Sequence, residues 1–306
     1  GRKDVQRFQL RFMDNILNLH NDLKNKTYTH DIYEAFTIFE PKPRSIHKAS
    51  VRDRVLHRAI YRKLYSHFDK TFISESFSCR MNKGTHRANK VFEKFKYTVS
   101  KNNTKQCYVL KCDIRKFFAS IDHQILLNIL NKYIPDKNII SLLNKVINSF
   151  HLNEEGKGLP LGNLTSQLFA NIYLNEFDQY IKHKLKIKYY IRYADDFVIF
   201  SENKQWLVDT LTNIHNFLSN ELKLSLHPNK ISIKTISSGM DYLGWIHFPD
   251  HRVLRTSTKK RMFKNPRLRL GRKATMNSYL GLLGYGNAYK LQKEIDNIIN
   301  SHIAIS

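Results

Sequence analysis

The sequence predicts an α+β fold, and three observations predict it. Two runs of β-prone residues, 107–114 and 189–200, carry carboxylates where a strand ends or turns. Val, Ile, Tyr and Phe flank the acids of the second run, as paired strands favour, and Cys107 to Cys112 reads as a buried-type strand that ends in a carboxylate. Around them, long stretches with apolar residues at helical spacing come before, between and after the strands.

Each element has a local cause. In 5–23, Phe8, Phe12, Ile16, Leu19 and Leu23 recur at helical spacing among polar residues, which predicts one amphipathic helix. Residues 33–39 read as a strand or a short helix, which Pro41-Lys42-Pro43 ends. Ser50 is placed to cap a helix carrying Val51, Val55, Ile60, Leu64 and Phe68. Arg52, Arg54, Arg58, Arg62 and Lys63 stud that helix. Such a face is usually solvated; here Arg52 and Arg58 are expected to lie along a phosphate backbone. A helix from Thr85 to about Ser100 leads into the polar linker 101–105. Asp122 and Asp136 each start a helix, and capping is the role expected of Asp122. Asn163 or Thr165 opens a long amphipathic helix through Leu168, Ile172, Leu174, Phe177 and Ile181. Residues 206–218 read as a helix, 222–233 as two strands about a turn, and 241–248 with 253–255 as a hairpin. From Ser257 the chain becomes basic and helical, with Lys259, Lys260, Arg261, Lys264, Arg267, Arg269, Arg272 and Lys273, and 279–289 joins two of these helices.

Composition narrows the partner. The 306 residues carry 51 basic and 26 acidic side chains, a formal charge of +25, and 12% are aromatic. An excess of this size spread along the chain implies a polyanion, and with these aromatics it points to nucleic acid more than to a membrane surface. Binding should then weaken steeply with salt. No apolar run is long enough to span a bilayer. The three cysteines, Cys79, Cys107 and Cys112, read as reduced thiols of a cytoplasmic protein. The 14 histidines are scattered without zinc-ligand spacing. The chain opens Gly1-Arg2-Lys3 without a methionine, which leaves its native amino terminus open.

The chemistry centres on Tyr193-Ala194-Asp195-Asp196, two carboxylates at the tip of a hairpin. Adjacent carboxylates repel, and a divalent cation is their natural partner; oxygen-only ligation suits magnesium. An acidic turn on a solvated edge is the plain alternative. Asp113, ending the 107–113 strand, supplies a third acid. Two strands whose acids meet at one sheet edge would form a two-metal site for attack on a phosphate.

At these residues the chain resembles the reverse transcriptases. Tyr193-Ala194-Asp195-Asp196 matches their palm hairpin, 113–118 their first metal motif, and 158–167 the loop and helix between. The resemblance implies a right-hand polymerase: an N-terminal helical extension at 1–43, fingers at 44–105, a palm of antiparallel sheet plus helices at 106–256 with a fingers insertion near 130–158, and a small helical thumb at 257–306. It implies two Mg2+ ions on Asp113, Asp195, Asp196 and the Ile114 backbone carbonyl, and Lys230 as the lysine that protonates pyrophosphate. In 77–87, similar to the fingers motif of group II intron-like enzymes, Arg80 and then Lys83 are the expected ligands of the triphosphate; an Arg fork suits phosphate oxygens. Phe118 falls at the steric gate against ribonucleotides, while Leu161, Gly162 and Gln167 belong to the floor under the nascent base pair. Tyr193, Gly244, Lys260 and Arg261 are expected against template and primer.

Most of the family carries Gln-Gly and Ser-Pro where this chain has Leu161-Gly162 and Ser166-Gln167. That variant is similar to the enzymes of diversity-generating retroelements. Their known properties imply an error-prone copier of a structured template RNA into cDNA, using dNTPs and a small basic accessory protein, with misincorporation at template adenines. Replacing Gln by Leu161 removes hydrogen bonds that could align the incoming nucleotide. Defence-associated and other group II-like enzymes share the variant, and a non-catalytic RNA-binding scaffold is the alternative of a different class.

Overall fold

A computed structural model gives the fold; the described residues are 2–39, 43–152, 154–265, 268 and 272–303, without the side chains of 273 and 298–303. Pro41-Lys42, Arg267, Arg269 and the Lys273 side chain, all part of the sequence reading, lie outside the described residues.

The chain folds as two compact units, each built from separate stretches. The first takes 1–84, 112–197 and 209–231, and the second 85–111, 198–208 and 232–306. The first unit begins with α1 (Lys3–Leu10) and α2 (Phe12–Lys24) rather than one helix. Arg11 leaves helical space at φ −126° and ψ 46°, and the Asn15 side chain donates to the Phe8 carbonyl at 3.0 Å, satisfying an acceptor that the break frees. Residues 33–39 resolve as β1 (Glu34–Ile38), paired antiparallel with β2 (Arg44–Lys48) from Glu34↔Lys48 to Ile38↔Arg44. Then α3 (Val51–Phe68) starts at Ser50, whose hydroxyl accepts from the Asp53 amide at 3.1 Å.

After α4 (Thr85–Val99) and β3 (Tyr108–Asp113) come the short α5 (Phe117–Ser120), α6 (His123–Tyr133) and α7 (Lys137–Asn148). Asp122 caps α6 by accepting from the Ile125 amide at 3.0 Å, and Asp136 caps α7. Next is α8 (Leu164–Gln179), whose Leu168, Phe169, Ile172, Tyr173, Leu174 and Phe177 are all buried. It packs on α3 and α6 as the central helix of the first unit. Each such side chain contributes roughly 1.5–3 kcal/mol of burial.

The hairpin β4 (Tyr190–Tyr193) and β5 (Asp196–Ser201) follows, then α9 (Lys204–Leu222) and β6 (Ser232–Thr235). Strand order in this sheet is β4-β5-β3-β6, with β6 antiparallel to β3 from Tyr108↔Thr235 to Lys111↔Ser232. The two strands expected in 222–233 reduce to β6. Leu222 ends α9, Leu226 makes a single bridge to Ile114, and Pro228–Lys230 forms a 3-10 turn. Pro228 has no amide hydrogen to extend a ladder.

In the second unit β7 (Met240–Tyr242), β8 (Trp245–His247) and β9 (Arg252–Leu254) form a three-stranded sheet. It leads into α10 (Thr256–Lys264), α11 (Lys273–Leu283) and α12 (Tyr289–Ile303). Trp245, Leu254, Met262, Leu268, Met276, Leu283 and Ile295 make their common core. Much of the expected 279–289 connection is helix: α11 runs to Leu283, and only 284–288 separates it from α12. Gly286 lies against the Trp245 ring with no room for a β-carbon.

A buried polar cluster ties the start of the first unit to α3. His57 and His30 meet through their Nε2 atoms at 3.2 Å, and burial followed by the His30 charge pulls His57 down to about 4. The unfolded chain protonates this imidazole near pH 6.5, whereas the folded chain does so only near pH 4. Folded His57 therefore binds fewer protons across that window, and stability should fall as pH drops from about 6.5 to about 4, by up to about 3 kcal/mol. Urea unfolding at pH 7 and pH 4.5 measures it, and His57→Gln should flatten the dependence.

Candidate active site

The site starts with a strand that must end on a carboxylate. In β3, Val109, Leu110 and Cys112 are buried, so Asp113 is the residue at which the chain reaches the edge. The hairpin is closed by Ala194 and Asp195, and Ala194 takes φ +55°. A left-handed alanine costs roughly 1–2 kcal/mol. The Arg192 guanidinium donates to the Ala194 carbonyl at 3.1 Å and holds the turn.

One backbone bond decides whether the acids meet. The Ile114 amide donates to the Asp195 carbonyl at 3.1 Å, so the end of β3 lies against the hairpin tip. Electrostatics agree: burial, then the Asp113 charge, push the Asp195 carboxyl above its ordinary range, while Lys230 and Arg44 pull it back. Burial and the charges of Asp196 and Asp113 likewise raise the Cys112 thiol, which keeps it protonated. Lys230 reaches Asp113 Oδ1 at 2.8 Å. Asp113, Asp195, Asp196 and Lys230 are thus neighbours, and Ile114 is the residue that joins the two strands.

Among the described residues no three His, Cys, Asp or Glu side chains are already gathered as a metal-ligating group. Like-charged carboxylates repel at short range unless a cation or a shared proton lies between them. The donor set nevertheless fits one: hard carboxylate oxygens, adjacent, with one acid destabilised in its charged form by another.

Arg80 is engaged within the protein. Its side chain is 6% exposed and donates to Asp69 Oδ1 at 2.7 Å and to the carbonyls of Ile73 at 2.6 Å and Ser76 at 3.0 Å. It braces the loop after α3. Arg52 is similarly engaged, with Asp22 at 2.5 Å and the Thr29 carbonyl at 3.1 Å. Lys83 donates to the Ser74 carbonyl at 2.7 Å. Arg58 remains exposed on α3 near the Tyr61 ring.

Phe117 is buried and Phe118 half-buried, their rings 5.5 Å apart. The Phe118 carbonyl accepts from Leu159, and the Leu161 carbonyl accepts from His47 of β2 at 2.9 Å. Gly162 has φ +103°, and a β-carbon there would stand 2.7 Å from Ile46 Cγ2. Only glycine lets β2 approach this loop. Gln167 is exposed in the first turn of α8, and Tyr193 is half-buried beside Ser78. In the second unit, Gly244 turns β7 into β8 at φ +91°, and Lys260 and Arg261 are exposed on α10.

Sequence reasoning missed Arg44. It opens β2, is exposed, and its charge favours the Asp195 carboxylate. No periodicity in 44–48 signals it; only the pairing of β2 with β1 and its contact with Leu161-Gly162 carries Arg44 toward the acids.

The fold is that of the reverse transcriptases, a mixed helix and sheet architecture with an acidic hairpin beside a strand that ends on aspartate. Residues 24–247 match the family described as reverse transcriptase (RNA-dependent DNA polymerase), and the chain belongs to it. Protein YkfC of Escherichia coli K12 is 25% identical over 247 residues, covering 69% of this chain and 63% of YkfC. Group II intron-encoded protein LtrA of Lactococcus lactis subsp. cremoris is 25% identical over 301 residues, covering 76% of this chain and 47% of LtrA. The apo telomerase of Candida tropicalis superposes with a TM-score of 0.60 at 14% identity, over 89% of this chain and 57% of the telomerase, a likeness of fold alone. The chain therefore spans less than two thirds of these relatives. Among the described residues, no helix is long and apolar enough to cross a membrane.

Proposed function

We propose that the chain is an RNA-directed DNA polymerase that extends a primer on an RNA template with dNTPs. The observation that supports it most is the Ile114–Asp195 backbone bond, which brings Asp113 beside Asp195 and Asp196. Asp113, Asp195 and Asp196 would hold magnesium, which supplies Lewis acidity toward the primer hydroxyl and the phosphates. The remaining work falls to the chain itself. Arg44, exposed and within electrostatic reach of Asp195, takes over from Arg80 as the cation for the triphosphate. Lys230, held at Asp113, can give its proton to the departing pyrophosphate. Phe118 would press on the sugar, and Leu161 offers the base pair no hydrogen bond. With Gln167, Leu161 supports the finer reading of an error-prone retroelement enzyme, which would act with a structured template RNA and a small basic accessory protein.

Extension of a DNA primer annealed to a defined RNA, with Mg2+ and dNTPs, tests this function. Template-complementary cDNA is expected; a folded protein that makes none rejects the proposal. Sequencing that cDNA tests the finer reading, which requires errors concentrated opposite template adenine.

Two variants separate roles within the site. Arg44→Ala should raise the dNTP KM about 10-fold or more with primer affinity unchanged, as loss of a charge-assisted hydrogen bond worth roughly 1.5–3 kcal/mol implies. An unchanged KM returns the triphosphate to another cation. For Phe118→Ala, ribonucleotide incorporation should rise, and equal sugar selectivity in the variant and the parent would reject the gate.

A further inference from the structure

Beneath the acidic hairpin lies a buried arginine whose every N–H group is engaged. Arg192 is fully buried, as is its partner Asp178. Its Nε and Nη2 donate to Asp178 Oδ1 at 2.8 Å and Oδ2 at 2.6 Å, a bidentate fork. Nη2 also donates to Ser76 Oγ at 3.0 Å. Nη1 donates to Asn171 Oδ1 at 3.3 Å and to the Ala194 carbonyl at 3.1 Å. Tyr190 completes the cluster by donating to Asp178 Oδ1 at 2.7 Å. Burial works against the guanidinium charge, but Asp178 outweighs it, and Arg192 stays ionised.

Three separate pieces of the site meet at this group. The first is the turn: the Ala194 carbonyl is the last acceptor before Asp195, in a residue held at φ +55°. A second piece is 75–77, which runs beside β4 through Phe77 N–H to the Arg192 carbonyl and Arg192 N–H to the Glu75 carbonyl, both 3.0 Å. Last is α8, through Asn171 and Asp178; Asn171 also donates to the Ser78 carbonyl at 2.9 Å. A guanidinium can serve all of these at once because its donors are fixed in one plane, whereas an ammonium on a flexible stem cannot.

We propose that Arg192, anchored by Asp178, is a positioning residue that sets the direction of Asp195 and so the cation affinity of the acidic pair, tying it to the 75–78 segment. This rests on the polymerase reading of the site. A brace that merely filled the core would bond to Asp178 and Asn171; it would have no reason to reach the carbonyl adjoining the reactive carboxylate. Lysine at 192 keeps the charge opposite Asp178 but loses the bond to the turn.

The test compares wild type with Arg192→Lys and with Ser76→Ala, which removes a single acceptor from the cluster. Three quantities are read on folded protein: the thermal midpoint, Mn2+ affinity by electron paramagnetic resonance, and kcat against KM for primer extension. For Arg192→Lys we expect kcat about 10²-fold lower, as for a displaced catalytic group, and Mn2+ bound about 10-fold more weakly, with primer–template KM within about twofold. Ser76→Ala should move kcat and Mn2+ affinity in the same direction by about threefold. A variant that is less stable yet keeps wild-type kcat and Mn2+ affinity makes Arg192 a core brace and overturns the proposal. If Arg192→Lys does not fold, Ser76→Ala decides on the same two readouts. Failure of the wild type to extend any primer would instead reject the polymerase reading, with Mn2+ affinity still reporting on the turn.

Discussion

Asp195→Asn is expected to lower primer extension at least about 10³-fold, leave RNA-template affinity within about twofold, and not lower the thermal midpoint. The rate follows from the proposed site: Asn keeps the size of the side chain but removes the charge that would hold the cation, and transition-state charge stabilisation worth several kcal/mol, at about 1.4 kcal/mol per decade, corresponds to that factor. Stability should behave oppositely. The Asp195 carboxyl is pushed above the ordinary carboxylate range because it is half-buried and faces Asp113. A group whose acid form is favoured by folding works against the folded state once ionised, so at neutral pH its replacement by a neutral isostere relieves repulsion. Single-turnover extension, filter binding of the RNA and a thermal melt separate the three effects. A variant retaining more than about a tenth of the wild-type rate would be incompatible with metal-assisted catalysis at this hairpin.

The acids were legible because their cause is local. A run of β-prone residues must end where a charge stops burial, and two acids between two such runs leave no choice but a turn; Asp113 and Asp195 follow from sequence on those grounds. Asp122 follows in the same way, since a carboxylate before an apolar helical repeat has free amides to accept from. What sequence could not give is the partner of a cation. Arg80 and Arg44 look alike as letters, yet Asp69, at the end of α3, captures the first through the fold, while a strand pairing leaves the second exposed. The hinge at Arg11 was illegible for a related reason. Apolar spacing runs unbroken through 5–23, and only the packing of α1 and α2 on α3 requires the chain to change direction there. Arg192 sits inside the hairpin motif itself, but its bonds run to Asp178 and Ser76, which no spacing rule links to a hairpin.

The second large effect lies in the polar cluster at the head of α3. Asp53 is fully buried and accepts from Tyr28 Oη at 2.8 Å, Ser50 Oγ at 2.8 Å and the Asp31 amide at 3.1 Å, with Arg52 Nη1 at 3.6 Å and His30 Nδ1 at 3.7 Å. Burial and then the bond to Asp53 hold the Tyr28 hydroxyl protonated far above its ordinary pKa, so it can only donate here. Asp53→Ala takes the acceptor from three donors at once and leaves Arg52 without a nearby buried counter-charge. Removing one member of a buried ionic network costs about 3–5 kcal/mol, and each stranded donor adds to that cost rather than relieving it. The expected loss is therefore about 3–5 kcal/mol for Asp53→Ala and about 1–2 kcal/mol for Asp53→Asn, which keeps one acceptor oxygen and the side-chain volume. Urea midpoints at constant m-value measure both, and the order matters more than either value. If Asn costs as much as Ala, the carboxylate acts through its charge on Arg52 and His30; if neither costs more than about 1 kcal/mol, water reaches the cluster and the three donors are not stranded.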